Sequence, residues 1–255
     1  MRAQLRKIER LRTFLPLSEE TNWLVPLGYP LADAALAGGI RCGALHEVFG
    51  KEPGHEPAAS GFALALALKA ADKKPLLWIR QDFSALEAGE VFGAGLLELG
   101  ADPARALLFR AAHVEDALRA AGEGLACASL GALVLETYGE SKLFDLALSR
   151  RLTLAAARHG VTVIHLRAHA MASASAAETR WIVRAARSPS HEENWGIPVF
   201  DASLARNRHG TTGQWVMEWN ADDRAFRETA HPGSMVAAAF DRPAAAAMGA
   251  RKRYG

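Results

Sequence analysis

The sequence ALHEVF at residues 44–49 is the first of five short apolar runs that decide the fold class. The other four are LLWI at 76–79, ALLF at 106–109, ALVL at 132–135 and VTVI at 161–164. These four lack polar alternation, which predicts strands covered on both faces. Longer periodic stretches near 61–71, 85–99, 114–126 and 142–159 predict helices between them. Alternating strands and helices predict an α/β fold with a mainly parallel sheet flanked by helices.

The pattern changes after Ile164. Residues 168–177, AHAMASASAA, are small and predict a mobile loop. Runs at 179–187, 196–205 and 213–220 alternate only partly and contain glycine breaks. They predict an antiparallel or mixed edge added to the parallel sheet near the C-terminus.

Both ends of the chain differ from its centre. Residues 1–18 contain a basic amphipathic helix, in which Leu5, Ile8 and Leu11 recur at a spacing of three. Its basic side is either a solvated face or part of a docking arm. Residues 229–255 are rich in Ala, Pro and Gly, have a basic end, and predict a flexible tail. The α/β domain is therefore expected over residues 19–228.

Composition excludes several classes of protein. The 255 residues are 50% hydrophobic, and 30 basic and 28 acidic side chains give a net charge of only +2, so bulk charge indicates neither a polyanion nor a membrane partner. The two cysteines, both expected to be buried, exclude a disulfide scaffold and a multi-cysteine zinc module. The N-terminus has no apolar signal region and no long apolar run follows, so we expect a cytoplasmic protein without a membrane partner.

The loop GKEPGHEPAASG at residues 50–61 stands where α/β proteins hold phosphate groups, between a strand and a helix. A working phosphate loop needs a Gly-Lys-Ser/Thr sequence, which this loop lacks. Glu52 and Glu56 also place negative charge where a triphosphate would add more. The residues of this degenerate phosphate loop are Gly50, Lys51, Gly54, Ser60 and Gly61. We therefore predict no catalytic residues and no ATP or Mg²⁺ as cofactor.

Residues 37–50, AGGIRCGALHEVFG, resemble the opening of a RecA-type core, in which a Gly-Gly turn precedes a Glu-apolar-aromatic-Gly strand and then the phosphate loop. The degenerate loop, the short length and the helix start AASGF at 58–62 are similar to the ImuA family, damage-inducible mutagenesis proteins of bacteria that are RecA/SulA-like. The resemblance covers about residues 20–220 and is specific only at 37–66.

The resemblance implies a RecA-like fold and a function without catalysis. It implies an accessory protein of SOS-induced translesion synthesis and mutagenesis that acts with ImuB, a polymerase-like protein without catalysis, and indirectly with an error-prone replicative-type polymerase. It further implies that Asp82 stands in the place of the catalytic Glu of RecA proteins, and Glu136 in the place of the Walker B acid. Both would be vestigial acids, and a lone acid such as Glu136 at a strand end is most often solvated. RecA-type cores also imply self-association.

Several arginines are candidate contacts with DNA or a protein partner. Arg206 and Arg208 resemble the Lys-x-Lys pair that reaches a neighbouring subunit's nucleotide in RecA filaments. Arg180 and Arg184 share one face of a strand, which we expect to be exposed, so that they either contact DNA phosphates or protect a sheet edge by their charge. The basic tail adds Arg251, Lys252 and Arg253. No metal site is predicted, because His165 and His169 lie at a strand end and in a loop rather than on one helix.

Two other functions stay open. One is a DNA-stimulated ATPase with a divergent phosphate loop that uses Lys51, Ser60, Asp82 and Glu136. The other is a SulA-like inhibitor of cell division that binds the division tubulin, which would need much less chain than is present.

Overall fold

The computed structural model describes residues 23–52, 54–188 and 196–229. Its strands are β1 (Leu24–Val25), β2 (Ile40–Arg41), β3 (Leu45–Gly50), β4 (Leu76–Gln81), β5 (Ala106–Ala111), β6 (Ala132–Tyr138), β7 (Thr162–Ala168), β8 (Thr179–Ala185), β9 (Val199–Asn207), β10 (Gly213–Asn220) and β11 (Ala225–Glu228). Its helices are α1 (Pro30–Ala35), α2 (Glu56–Ala71), α3 (Asp82–Ala88), α4 (Gly93–Glu98), α5 (Val114–Leu125) and α6 (Leu146–His159), with a 3₁₀ turn at Pro103–Arg105.

Nine strands form one sheet in the order β11-β10-β9-β8-β3-β7-β6-β4-β5. The six strands from β8 to β5 are parallel to one another, whereas β9, β10 and β11 are each antiparallel to their neighbours. The predicted α/β fold with a mainly parallel sheet and antiparallel strands near the C-terminal end is therefore confirmed.

The sheet buries a core on each face. α2 has apolar residues nearly all round, and it is accordingly buried on almost every side. On this face Phe62 packs against Trp181, Phe200 and Phe226, with ring centroids 5.2–5.6 Å apart. The other face, under α5 and α6, is a separate core that includes Leu133, Leu152 and Val163.

A Gly-Gly turn leads the chain into this sheet. Gly38 and Gly39 have φ angles of 119° and 140°, which side chains other than glycine rarely adopt. A Cβ at Gly39 would lie 2.2 Å from the Val25 carbonyl oxygen. The glycines therefore allow β2 to pair with β1 in front of β3.

The strand at 106–109 was predicted to be covered on both faces, and this is wrong. β5 pairs only with β4, at the end of the sheet. Leu107, Leu108 and Phe109 are consequently 54%, 47% and 44% exposed. An apolar run alone does not distinguish a covered strand from an apolar edge strand.

Other boundaries also differ from the predictions. The helix expected over 85–99 is two short helices, α3 and α4, separated at Gly89. The second half of the loop predicted to be mobile is buried at residues 175–177 and hydrogen-bonded. Cys42 is buried as expected, but Cys127 is exposed. The predicted helix within residues 1–18 and the tail from residue 230 onward lie outside the described residues. In the described part of the chain no helix has the length and apolarity to cross a membrane.

Candidate functional site

A cleft of about 250 Å³ lies outside the carboxyl ends of the parallel strands, next to the start of α2. It is lined by Gly50, Gly54, Glu56, Pro57, Ala59, Ser60, Ser84, Glu87, Ala88, Glu136, Tyr138, Leu166, Ala168 and His169. In open α/β sheets this crevice is the usual place for a ligand. We therefore take this acidic cleft as the candidate functional site.

The degenerate phosphate loop is shorter than expected. α2 begins at Glu56, so the prediction that Ser60 and Gly61 lie in this loop is wrong, and both lie in the helix. Pro57 in the first turn favours this early start. Proline has no backbone N–H, and at this position of a helix an N–H would have no partner within the helix. Backbone bonds hold the loop, since Lys51 N–H donates to Val183 O (2.8 Å) and His55 N–H donates to Glu52 O (3.1 Å).

Glu56 places its own carboxylate at the site where a phosphate would bind. Glu56 Oε2 accepts a hydrogen bond from Gly54 N–H at 2.7 Å, and Oε1 lies 2.8 Å from His169 Nε2. Loop N–H groups and the positive end of a helix are the groups that bind phosphate in working loops. Here a carboxylate of the chain itself occupies one of these groups, the N–H of Gly54.

Glu136 is buried at the floor of the cleft and is not solvated, contrary to the simplest expectation. Its Oε1 accepts from Arg80 Nε and its Oε2 from Trp78 Nε1, each at 2.9 Å. Arg80 also donates to the carbonyl oxygens of Ser84 and Gly89. Both oxygens of Glu136 are thus already engaged within the protein.

Asp82 does not line the cleft. It begins α3, and its Oδ1 lies 2.8 Å from Arg110 Nε, while Arg110 also contacts Glu90 at 2.6 Å. All three side chains are about half exposed. Asp82 and Glu136 are therefore not brought together as a pair of acids around one ligand.

The walls of the cleft are acidic and aromatic. Tyr138 packs between Phe83, which it meets edge to face, and the tilted ring of His169, with ring centroids 4.7 Å apart on each side. Partial desolvation and the negative charges of Glu87 and Glu56 raise the pKa of Tyr138. Lys51 is exposed and is not part of the lining. The cleft is thus suited to positively charged groups.

A second polar group of side chains, the Glu47 cluster, lies on the other face of the sheet and consists of Glu47, Arg167, Ser175 and Arg180. Glu47 Oε2 accepts from Ser175 Oγ and Arg180 Nε, both at 2.9 Å. Arg180 also donates to Ser173 O at 2.5 Å. The side chains of Glu47 and Arg180 are only 3% and 13% exposed. The prediction that Arg180 lies on an exposed face is therefore wrong, because it neutralises a buried acid.

Arg167 completes the Glu47 cluster. Its guanidinium lies 5.3 Å from the ring centroid of Phe49 and 5.2 Å from that of Phe144, and it is 3.5 Å from Glu140. Burial lowers the pKa of Arg167. Beside it, burial lowers the pKa of His165 to about 3, and His165 Nε2 bonds Thr137 Oγ1 at 3.1 Å. Sequence reasoning missed this cluster, although the charged Glu47 inside the apolar run of β3 was its signal.

The other predicted arginines differ in their surroundings. β8 lies between β3 and β9, so Arg184 is not on an edge strand, and it pairs with Asp201 at 2.6 Å. Arg206 donates to Ser175 O at 2.6 Å, and Arg208 to Ala176 O at 3.4 Å. These two arginines hold the loop before β8. Arg251, Lys252 and Arg253 lie outside the described residues.

His165 and His169 have separate partners, Thr137 and Glu56. Among the residues that the structure describes, no group of three or more His, Cys, Asp or Glu is placed to hold a metal ion.

Comparison with known proteins gives one consistent result. No family model matches the chain. The chain is similar to protein ImuA from two strains of Caulobacter vibrioides, with 29% identity over 248 residues in each case. The similarity covers 90% of this chain and 95% of each relative. The predicted resemblance is confirmed, and the chain is ImuA-like over almost its whole length.

Proposed function

We propose that this chain is a non-catalytic, RecA-like accessory protein of damage-inducible mutagenesis. In this role it acts in SOS-induced translesion synthesis with an ImuB-like, polymerase-related protein and, through it, with an error-prone polymerase. The similarity to ImuA over 90% of the chain supports the biological role.

The position of Glu56 carries the non-catalytic part of the proposal. Its carboxylate accepts from Gly54 N–H and contacts His169, so it competes directly with a phosphate for the start of α2. A triphosphate would also face Glu87 and the buried Glu136, and like charges at short range repel strongly in a partly desolvated cleft. The volume of about 250 Å³ lies below the roughly 300–1,000 Å³ of typical small-molecule sites.

A biochemical experiment tests this part. We expect the full chain, with or without single-stranded DNA, to hydrolyse ATP no faster than its Lys51→Ala variant, and to show no saturable binding of a fluorescent ATP analogue. Glu136→Gln is the second comparison, because it keeps a hydrogen-bonding side chain beside Trp78 and Arg80. Turnover that both substitutions abolish would instead establish the ATPase.

A cellular experiment tests the biological part. In a strain that lacks this gene, we expect the wild-type chain to restore ultraviolet-induced mutation, and Lys51→Ala to restore it equally. Affinity purification from damaged cells should recover an ImuB-like protein. Recovery of the division tubulin instead, with filamentous cells and no effect on mutation, would favour the SulA-like function.

The proposal also includes direct contact between this protein and single-stranded DNA. The Arg184 side chain is 44% exposed, and Arg208 is exposed as well. If they touch phosphates, the double substitution Arg184→Ala and Arg208→Ala should weaken single-stranded DNA binding and reduce its salt dependence. Arg227→Ala, on β11, is the control, and an equal effect of both changes would exclude a specific contact.

A further inference from the structure

The acidic cleft has an excess of negative charge that the proposed function does not use. Arg80 neutralises Glu136, whereas the one ion-pair partner of Glu56 among the described residues is His169, which is charged only when protonated. Glu87 is exposed and makes no ion pair within residues 23–52, 54–188 and 196–229. A positively charged group in the cleft would therefore gain attraction from at least two carboxylates.

Ser84 provides an independent sign of a ligand. Its residue is 1% exposed, it lines the cleft, and its hydroxyl oxygen has no hydrogen-bond partner in the described part of the chain. Buried hydroxyl groups are almost always hydrogen-bonded. An N–H donor that enters the cleft could reach this oxygen.

The shape of the cleft narrows the chemistry of that donor. The rings of Tyr138 and His169 line the cleft and form an aromatic border, and planar guanidinium groups stack on aromatic faces more readily than ammonium groups do. The volume of about 250 Å³ suits one long side chain. The side chain that combines a planar cation with several N–H donors is arginine.

We propose that the acidic cleft is a binding site for a guanidinium group, and that its occupant is the basic C-terminal segment Arg251–Arg253 of the same chain. The segment is complementary in charge, since it holds three consecutive basic residues near the end of the sequence. This inference does not depend on the proposed function, because it concerns only the cleft and its own chain.

The C-terminal segment is long enough to reach the cleft. β11 lies four strands from β3, roughly 20 Å across the sheet, and it ends at the opposite end of the sheet because it runs antiparallel to β3. Residues 230–250 form the connection. Fully extended, those residues span roughly 70 Å, about twice the distance required.

A zero-length cross-linking experiment on the full chain tests the contact directly. A carbodiimide joins the Lys252 amine to a carboxylate with loss of water, and we expect an amide bond to Glu87 or Glu56 in material of monomer mass. High salt should reduce the product severalfold. Lys252→Arg, which keeps the charge but forms no such bond, should abolish it, and Glu87→Gln should shift or remove it.

A binding experiment separates the cleft from general acidity. The probe is a labelled peptide of residues 249–255, and the protein is the full chain in which Arg251, Lys252 and Arg253 are replaced by alanine, so that the cleft is vacated. We expect a Kd below roughly 1 mM, since a weaker contact would not persist at the effective concentration of a tethered segment. Glu87→Gln and Ser84→Ala should each weaken binding at least threefold. Glu123→Gln, in a separate surface groove beside α5, is the matched control and should leave it unchanged.

Each outcome decides the proposal. An intrachain cross-link together with cleft-specific peptide binding supports it. A cross-link found only in dimers, a cross-link to carboxylates outside the cleft, equal binding by the Glu87→Gln and Glu123→Gln variants, or no peptide binding overturns it. None of these results alters the mutation assay of the proposed function, so the two can fail separately.

Discussion

The acidic cleft and the Glu47 cluster lie on opposite faces of the same sheet, and their charges are arranged in opposite ways. In the cluster, the buried Glu47 meets Arg180 and the hydroxyl of Ser175, and Arg167 lies between two aromatic rings. In the cleft, Arg80 neutralises Glu136 at the floor, while Glu87 stays exposed on the wall and makes no ion pair within the described residues. The comparison teaches that the buried acid of the Glu47 cluster is paired within the fold, whereas the acidic cleft keeps a carboxylate that has no ion-pair partner in the described residues.

The largest expected effect is on the cluster. Glu47→Ala leaves Arg180 without its buried counter-ion, and removing one partner of a buried pair costs about 3 kcal/mol of unfolding free energy. Urea unfolding followed by circular dichroism measures this loss. A loss below about 1 kcal/mol would mean that water already screens the charges of the cluster. It would contradict the contrast between a buried cluster and a solvated cleft.

The pH dependence of stability is the next effect. The folded pKa of His165 is about 3, below the ordinary value of 6.5, so between these values the unfolded chain binds a proton that the folded chain does not. The free energy of unfolding should therefore fall as the pH drops from about 6.5 towards 3, by at most about 1.4 kcal/mol per pH unit from this group. Burial lowers the pKa of His46 as well, with the same sign.

His165→Gln isolates this contribution, because glutamine can still bond Thr137 but does not titrate. Urea unfolding of both proteins at pH 7 and pH 5 gives the two slopes. We expect a shallower slope in the variant, and equal slopes would show that the imidazole is not kept neutral by burial.

Glu56→Gln tests the boundary between the two regions. Glutamine keeps an acceptor for Gly54 N–H but removes the charge at the start of α2 and beside His169. We expect a loss of about 1 kcal/mol, measured by urea unfolding. A gain in stability in phosphate buffer, absent from the wild-type chain, would show that the loop accepts an external anion once the internal one is removed.

The smallest expected effect on the free energy of unfolding concerns Glu87, on the wall of the cleft. Glu87→Gln should change the unfolding free energy by less than about 0.5 kcal/mol, since the side chain is exposed and makes no ion pair in the described residues. It should nevertheless lower the pKa of Tyr138, because Glu87 is one of the charges that raise it. Ultraviolet titration of tyrosinate measures the change, with Tyr138→Phe to identify the transition. An unchanged titration would mean that Glu87 does not act on the cleft.

The sequence was sufficient for the succession of strands and helices, because four of the five apolar runs are buried strands of the parallel sheet. It was insufficient at β5, because the apolar run Leu107–Phe109 has the same sequence pattern whether or not a helix covers the strand. For the cleft, the sequence showed Glu56 and the missing Gly-Lys-Ser/Thr. It did not show that Glu56 contacts His169. That contact depends on the pairing of β3 with β7, two strands that lie far apart in the sequence.

The Glu47 cluster illustrates the same limit. A glutamate inside an apolar strand must be paired if it is buried, so ALHEVF predicts a partner. Its identity depends on the parallel register that sets Glu47 opposite Arg180. Such a register joins residues distant in sequence, and no local pattern encodes it.

The place of β3 in the middle of the sheet has a consequence for synthesis of the protein. β3 is the first long strand to be made, yet its neighbours β7 and β8 begin at Thr162 and Thr179. A ribosome that adds roughly 5–20 residues per second needs on the order of 10 s to make that intervening sequence. Throughout this interval the two strands that pair with β3 in the sheet have not yet been made, so both edges of β3 are open to pairing with other chains.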